Sequence, residues 1–232
     1  MKLILLPGMD GTGELFSDLR DALTDEVTPV IIRYPSNKNL SFYDLAELVQ
    51  EYFPVDEKFM IIAESFSVPI AIICAAKNPV NLTALVLCAG FAASPIKGLS
   101  RYIGRISATV LFRLPLPNIM LKIWLTGGNT NSGLLSKVKN IVLSIQKSVL
   151  IDRLKLVFNC DVREEIGKIK IPILYIRAKN DRLISKSCYD EIKTANSNVE
   201  LSELDGPHLI LQKEPMKSAK IILKFIENIS LY

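Results

Sequence analysis

Short β-branched apolar runs alternate along the chain with stretches whose apolar residues recur at helical spacing. The runs Lys2–Leu6, Thr28–Tyr34, Lys58–Ala63, Ala84–Cys88, Ile171–Arg177 and Val199–Glu203 predict strands. Gly13–Asp25, Ser41–Phe53, Phe66–Lys77, Lys186–Thr194 and Pro215–Ile229 predict helices. Gly, Pro, Asn and Asp punctuate the junctions. The strand runs lack strict apolar–polar alternation, as strands do when helices cover both faces of their sheet. The pattern therefore predicts an α/β fold with a mostly parallel sheet of about six strands.

Residues 91–160 break this rhythm. They carry helical periodicity interrupted by Pro115, Pro117 and the stretch Thr126–Gly133, with no strand-like run. Ordinary connections in such folds run about 2 to 6 residues, and longer insertions are usually functional. The expectation is a core formed by 1–90 and 161–232, with 91–160 inserted as a helical cap before the Ile171–Arg177 strand. Within it, Ile106–Leu125 is strongly apolar but is broken by Arg113, Pro115, Pro117 and Lys122, so it does not read as a transmembrane helix.

Composition narrows the class further. With 232 residues, 49% of them hydrophobic and 22% charged, the chain can build a sizeable core and is not intrinsically disordered. The opening MKLILLPG has too short an apolar run for a signal peptide and reads as a first buried strand. Cys74, Cys88, Cys160 and Cys188 show no disulfide or C-x-x-C spacing, and a single histidine makes a Cys/His metal site improbable. These features point to a cytoplasmic protein with free thiols and no metal or other cofactor.

Charge is polarised. Between Glu64 and Asp152 there is no carboxylate but nine cations, among them Arg101, Arg105, Arg113 and Lys122. The remaining chain holds 19 basic and 24 acidic residues, net −5, although the whole is +4. Lys97, Arg101 and Arg105 recur every fourth residue and would form one stripe on a helix. This stripe reads either as a solvated face or as a field for an acidic partner. Apolar residues of the same span, with Trp124, read either as packing or as the lining of an acyl pocket. No nucleic-acid motif or aromatic platform accompanies the charge.

Four short sequences carry candidate chemistry. Ala63-Glu64-Ser65-Phe66-Ser67 places a serine between small residues where a strand passes into a helix, as a nucleophile elbow requires. Pro7-Gly8-Met9-Asp10-Gly11-Thr12-Gly13 follows the first strand; its glycines suit an anion-holding loop or a flexible turn, but fit neither G-x-G-x-x-G nor a P-loop. Asp181 lies just past a strand's carboxyl end, where it reads as a site residue or a turn cap. His208 follows the last strand and is the only histidine, so any histidine-dependent chemistry runs through it.

In the order Ser65, Asp181, His208, each at a strand end, the chain resembles the α/β-hydrolase superfamily over essentially its whole length. It departs in Ala63 and Ser67 for the usual elbow glycines, in Pro7 where many members have His, and in starting at what would be the family's third strand. The resemblance implies a serine carboxylester hydrolase. In it Ser65 would be the nucleophile, His208 the base and Asp181 the acid, ahead of the nearby Asp205 and Asp161. The backbone N–H groups of Met9 and Phe66 would form the oxyanion hole. Size, cap position and cap charge look similar to the esterases that cleave the methyl ester of pimeloyl-acyl carrier protein in biotin synthesis. In that setting Arg101, Arg105, Arg113, Lys122 and Trp124 would meet substrate or carrier. The same motifs would serve a generic carboxylesterase, lipase or thioesterase, and the alternative outside enzymes is a hydrolase-fold binding protein.

Overall fold

The computed structural model describes residues 1–23, 27–96 and 132–230. Its strands β1 (Lys2–Leu6), β2 (Thr28–Ile31), β3 (Phe59–Glu64), β4 (Leu82–Cys88), β5 (Ile173–Ala178) and β6 (Val199–Leu204) lie in the order β2-β1-β3-β4-β5-β6. All five pairings are parallel. The helices are α1 (Ser17–Ala22), α2 (Phe42–Gln50), α3 (Val68–Ala76), α4 (Ser132–Ser144), α5 (Lys147–Asn159), α6 (Arg163–Gly167), α7 (Lys186–Ala195), α8 (Ile210–Lys213) and α9 (Pro215–Ser230).

Successive side chains of a strand point to opposite faces, and here both faces are apolar. Ile4, Leu6, Ile61 and Ala63 pack under α2, α3, α6 and α7. Leu3, Leu5, Met60 and Ile62 pack under α1, α8 and α9. β3 is buried along its entire length, which explains why its sequence shows no alternation. From β1 the chain runs outward to the edge strand β2, then returns to β3 on the other side of β1. Strand order reverses there, and in open parallel sheets the usual ligand position lies beyond the carboxyl ends of the strands at such a reversal, here β1 and β3.

Of the differences between predicted and observed extents, two have a local cause. β2 stops at Ile31 instead of Tyr34 because its partner β1 ends at Leu6; Ile32 N–H still donates to Leu5, and Tyr34 N–H then donates to Gly11 in the loop beyond. The first predicted helix begins as a 3-10 turn, Glu14–Phe16, because Gly13 has φ 72 and starts no α-helix. α6 and α8, of 5 and 4 residues, are too short to leave a periodic signature.

In the 91–160 segment, the described helices are α4 and α5. Where the segment meets the core its ends are tied together: Ala93 bridges Asp161, and Val162 N–H donates to Ala92 O at 2.7 Å. Val138, Ile141, Ile145, Val149 and Leu150 form a third apolar cluster with Leu15 and Leu209, which seats the helix pair on the loops following β1 and β6.

β4 is followed by Ala89, with φ 46, and Gly90, whose N–H and C=O both bond the buried Tyr175 hydroxyl, at 3.2 and 2.8 Å. A Cβ on Gly90 would run into Val68 Cγ2 and stand 3.1 Å from Ser65 O. Gly90→Ala should therefore destabilise the fold by roughly 1–3 kcal/mol. Thermal unfolding checks this, and a melting temperature equal to that of the unmodified chain would show that α3 yields without strain.

Candidate active site

The elbow begins as a backbone problem. β3 must pass into α3 within a few residues, so Ser65 adopts φ 52, a left-handed conformation that non-glycine residues rarely enter. That conformation raises its side chain at the carboxyl edge of the sheet. Ala63 and Ser67, on either side, are fully buried. Ser67 does more than stay small. Its hydroxyl donates to the Pro7 carbonyl, and it accepts from Tyr34 Oη at 2.7 Å, which ties the elbow to the loops after β1 and β2.

His208, 4% exposed, lies between β6 and α8. Its Nδ1 is 2.7 Å from Asp181 Oδ2, and its Nε2 is 2.9 Å from Ser65 Oγ. A carboxylate only accepts, so the neutral ring must carry its proton on Nδ1, leaving Nε2 to accept from the Ser65 hydroxyl. Asp181 is itself fixed: its other oxygen accepts from the N–H groups of Leu183 and Ile184, at 2.8 and 2.9 Å. Asn180 N–H donates to Gly206 O at 3.0 Å, stitching the Asp181 and His208 loops together. Burial pulls the His208 imidazole down, but the Asp181 hydrogen bond and charge, with Glu64 adding, leave it above its ordinary value. The rival carboxylates lie elsewhere: Asp161 pairs with Arg163 and Asp205 with Lys179.

The loop after β1 is held by its carbonyls. Gly8 accepts from Gly11 N–H, and Gly11 from Tyr34 N–H. Met9 and Asp10 both accept from Arg153 Nη1 at 2.8 Å, and Pro7 from Ser67. Five consecutive carbonyls are thus engaged, while Met9 N–H has no partner among the described residues. Arg153 comes from α5, is 4% exposed, and also donates to Pro35 O at 3.0 Å. Its guanidinium lies 5.7 and 6.0 Å from the Tyr34 and Phe66 ring centroids. Burial draws its pKa below the usual arginine value, against the opposing influence of Asp10 and Tyr34.

The structure thus brings Ser65, Asp181 and His208 together, with Phe66 and the Met9 loop beside them. Arg101, Arg105, Arg113, Lys122 and Trp124 lie outside the described residues. Sequence reading missed Arg153, Tyr34, the Ser67 hydroxyl, Glu64 and Gln212. The available signal for Arg153 was a cation one helical turn from Val149 and Leu150, which are also buried. Among the described residues no group of three or more His, Cys, Asp or Glu is arranged to hold a metal ion, and no helix is long and apolar enough to cross a membrane.

The chain matches no protein-family model and no curated protein sequence. Solved structures do resemble it. A hydrolase from Oleispira antarctica superposes with TM-score 0.84 at 15% identity, over 98% of this chain and 91% of that one. An esterase from Exiguobacterium antarcticum gives TM-score 0.84 at 14% identity, over 98% and 92%. The enol-lactonase from Burkholderia xenovorans gives 0.80 at 15%, over 97% and 91%. At such identities the likeness establishes architecture: the chain has the α/β-hydrolase fold.

Glu64, directly before Ser65, is 2% exposed and accepts from Gln212 Nε2 at 3.1 Å. Burial pushes its carboxyl up from 4.5 to about 7, with His208 opposing. The folded protein therefore retains a proton that the unfolded chain releases, so this group's stabilisation is full below pH 4.5 and is lost as pH rises to about 7. Glu64→Gln, neutral throughout, should flatten that slope and gain on the order of 3 kcal/mol over the unmodified protein above the window. Unfolding midpoints measured across it would expose the alternative, two parallel curves.

Proposed function

We propose that this protein is a serine carboxylester hydrolase that works through an acyl-enzyme. The observation that carries the reading is the hydrogen-bonded chain Asp181–His208–Ser65, raised by a left-handed serine at the carboxyl edge of the sheet. As Ser65 Oγ bonds to the ester carbonyl carbon, its proton passes to His208 Nε2. Asp181 holds the tautomer and stabilises the imidazolium. The tetrahedral oxyanion takes hydrogen bonds from the backbone N–H groups of Met9 and Phe66, each worth about 3 to 4 kcal/mol in the transition state. Collapse breaks the ester C–O bond, and the alcohol leaves with the proton from His208. Water, deprotonated by the same imidazole, then releases the acid and restores Ser65.

The finer reading is that the substrate is a pimeloyl-type methyl ester on an acidic acyl carrier protein, acted on in the cytoplasm, with 91–160 as the cap. Its support is the acid-free, nine-cation span between Glu64 and Asp152, a field that would steer an acidic carrier. Arg101, Arg105, Arg113 and Lys122 would meet the carrier, while Trp124 would line the acyl path.

A short-chain p-nitrophenyl ester and a fluorophosphonate probe test the chemistry. The intact chain should hydrolyse the first and be labelled at Ser65 by the second; Ser65→Ala should abolish both. Activity should rise with pH at a midpoint above 6.5, because only neutral His208 accepts the serine proton and its pKa is raised. Absence of both turnover and labelling would favour a binding protein. For the carrier, Arg101→Glu with Arg105→Glu should raise KM for the protein-linked ester about tenfold or more and leave a small soluble ester unaffected. Equal effects on the two substrates would remove the carrier.

A further inference from the structure

We infer that Arg153 is a positioning residue for the oxyanion loop, delivered by α5 to hold the Met9 and Asp10 carbonyls back so that the loop keeps its N–H groups for a developing anion. This rests on the ester-hydrolase reading above. The Arg153 hydrogen bonds go to the carbonyls of Met9, Asp10 and Pro35, joining the loops after β1 and β2; among the described residues no carboxylate hydrogen-bonds it, though the Asp10 charge favours it. A buried cation bonded only to carbonyls, with no carboxylate hydrogen-bonded to it, costs stability, so its place calls for a reason. A planar guanidinium with five donors can bond several carbonyls on two loops at once, whereas lysine offers a point charge.

The loop sequence fits the same geometry from the other side. Gly11 has φ +71, and a Cβ there would stand 2.6 Å from Arg153 Nη1 and 2.9 Å from its Cζ. Only glycine leaves room for the clamp. Arg153 holds the two peptide units after Met9, and Gly11 N–H holds the Gly8 carbonyl of the unit that contains Met9 N–H. Without the guanidinium, the Met9–Asp10 unit loses the bond that fixes it and the Asp10–Gly11 unit keeps only its Gly11 N–H bond to Gly8, so the Met9 carbonyl can turn its oxygen toward the site, where it would repel an oxyanion.

The test compares Arg153→Met, Arg153→Lys and Gly11→Ala in the full chain. It reads kcat and KM on the p-nitrophenyl ester, and the affinity of a boronic acid that forms a tetrahedral adduct with the serine. Losing the function of one oxyanion donor implies a kcat about 100-fold lower in Arg153→Met, with KM within about threefold and boronate affinity falling in step. Arg153→Lys should recover part of the loss. Gly11→Ala, which keeps the arginine, should show the same split and add little to Arg153→Met when combined. The midpoint of the pH rise should not move, since the His208 contacts are untouched. Unchanged kcat and boronate affinity in folded Arg153→Met overturns the inference. So does a loss that matches the unfolded fraction seen by circular dichroism. If the intact chain hydrolyses no ester yet binds boronate, the ester reading falls alone and the variants' boronate affinities still decide the role of Arg153. If it binds no boronate either, both fall.

Discussion

The carboxyl edge of the sheet is organised by one backbone constraint: a serine with positive φ between a fully buried strand and the helix that follows. Neighbouring backbone comes so close at this turn that Ala63, Ser67 and Gly90 have little room to be anything larger. The same crowding makes the turn rigid. Tyr175 grips Gly90 from β5, while Ser67 grips Pro7 and Tyr34 from below. The strain at Ser65 persists because these contacts over-determine it.

Charge around the serine is sorted. Asp181 and Glu64 act on the imidazole, where positive charge would grow as the serine proton moves. The buried guanidinium of Arg153 lies on the side of the Met9 loop, where negative charge would grow. Such fixed groups need no rearrangement at the moment of reaction, which is how preorganised sites stabilise a transition state. The sorting also gives Glu64 its character. Burial at 2% exposure holds it toward its neutral form, against the charge of His208 and the hydrogen bond it accepts from Gln212.

What could be read from the chain was whatever local periodicity encodes. The six strands fall within a few residues of their predicted places, because apolar runs on a two-faced sheet are continuous in sequence. Ser65, Asp181 and His208 were legible for a related reason, since each follows a strand and strand ends are easy to find. Arg153 was not. Its partners lie 143 and 144 residues away, and nothing near Met9 or Asp10 signals a guanidinium. The Ser67 hydroxyl was equally hidden; 60 residues separate it from Pro7, and the elbow pattern asks only that the position be small. α6 and α8 fail on length alone.

The seating of α4 and α5 on the loops after β1 and β6 also bears on how such a protein can diversify. A long segment between two strands is a natural place for recombination, since only two crossing points must be joined, and here the ends of 91–160 are held side by side by Ala92, Ala93, Asp161 and Val162. Yet Arg153, within the 91–160 segment, bonds into the loop after β1. A segment borrowed from another protein would arrive without a guanidinium at that place and would meet a Gly11 loop shaped to receive one. Residues of the segment that leave this contact alone can therefore change more easily than the segment can be exchanged whole.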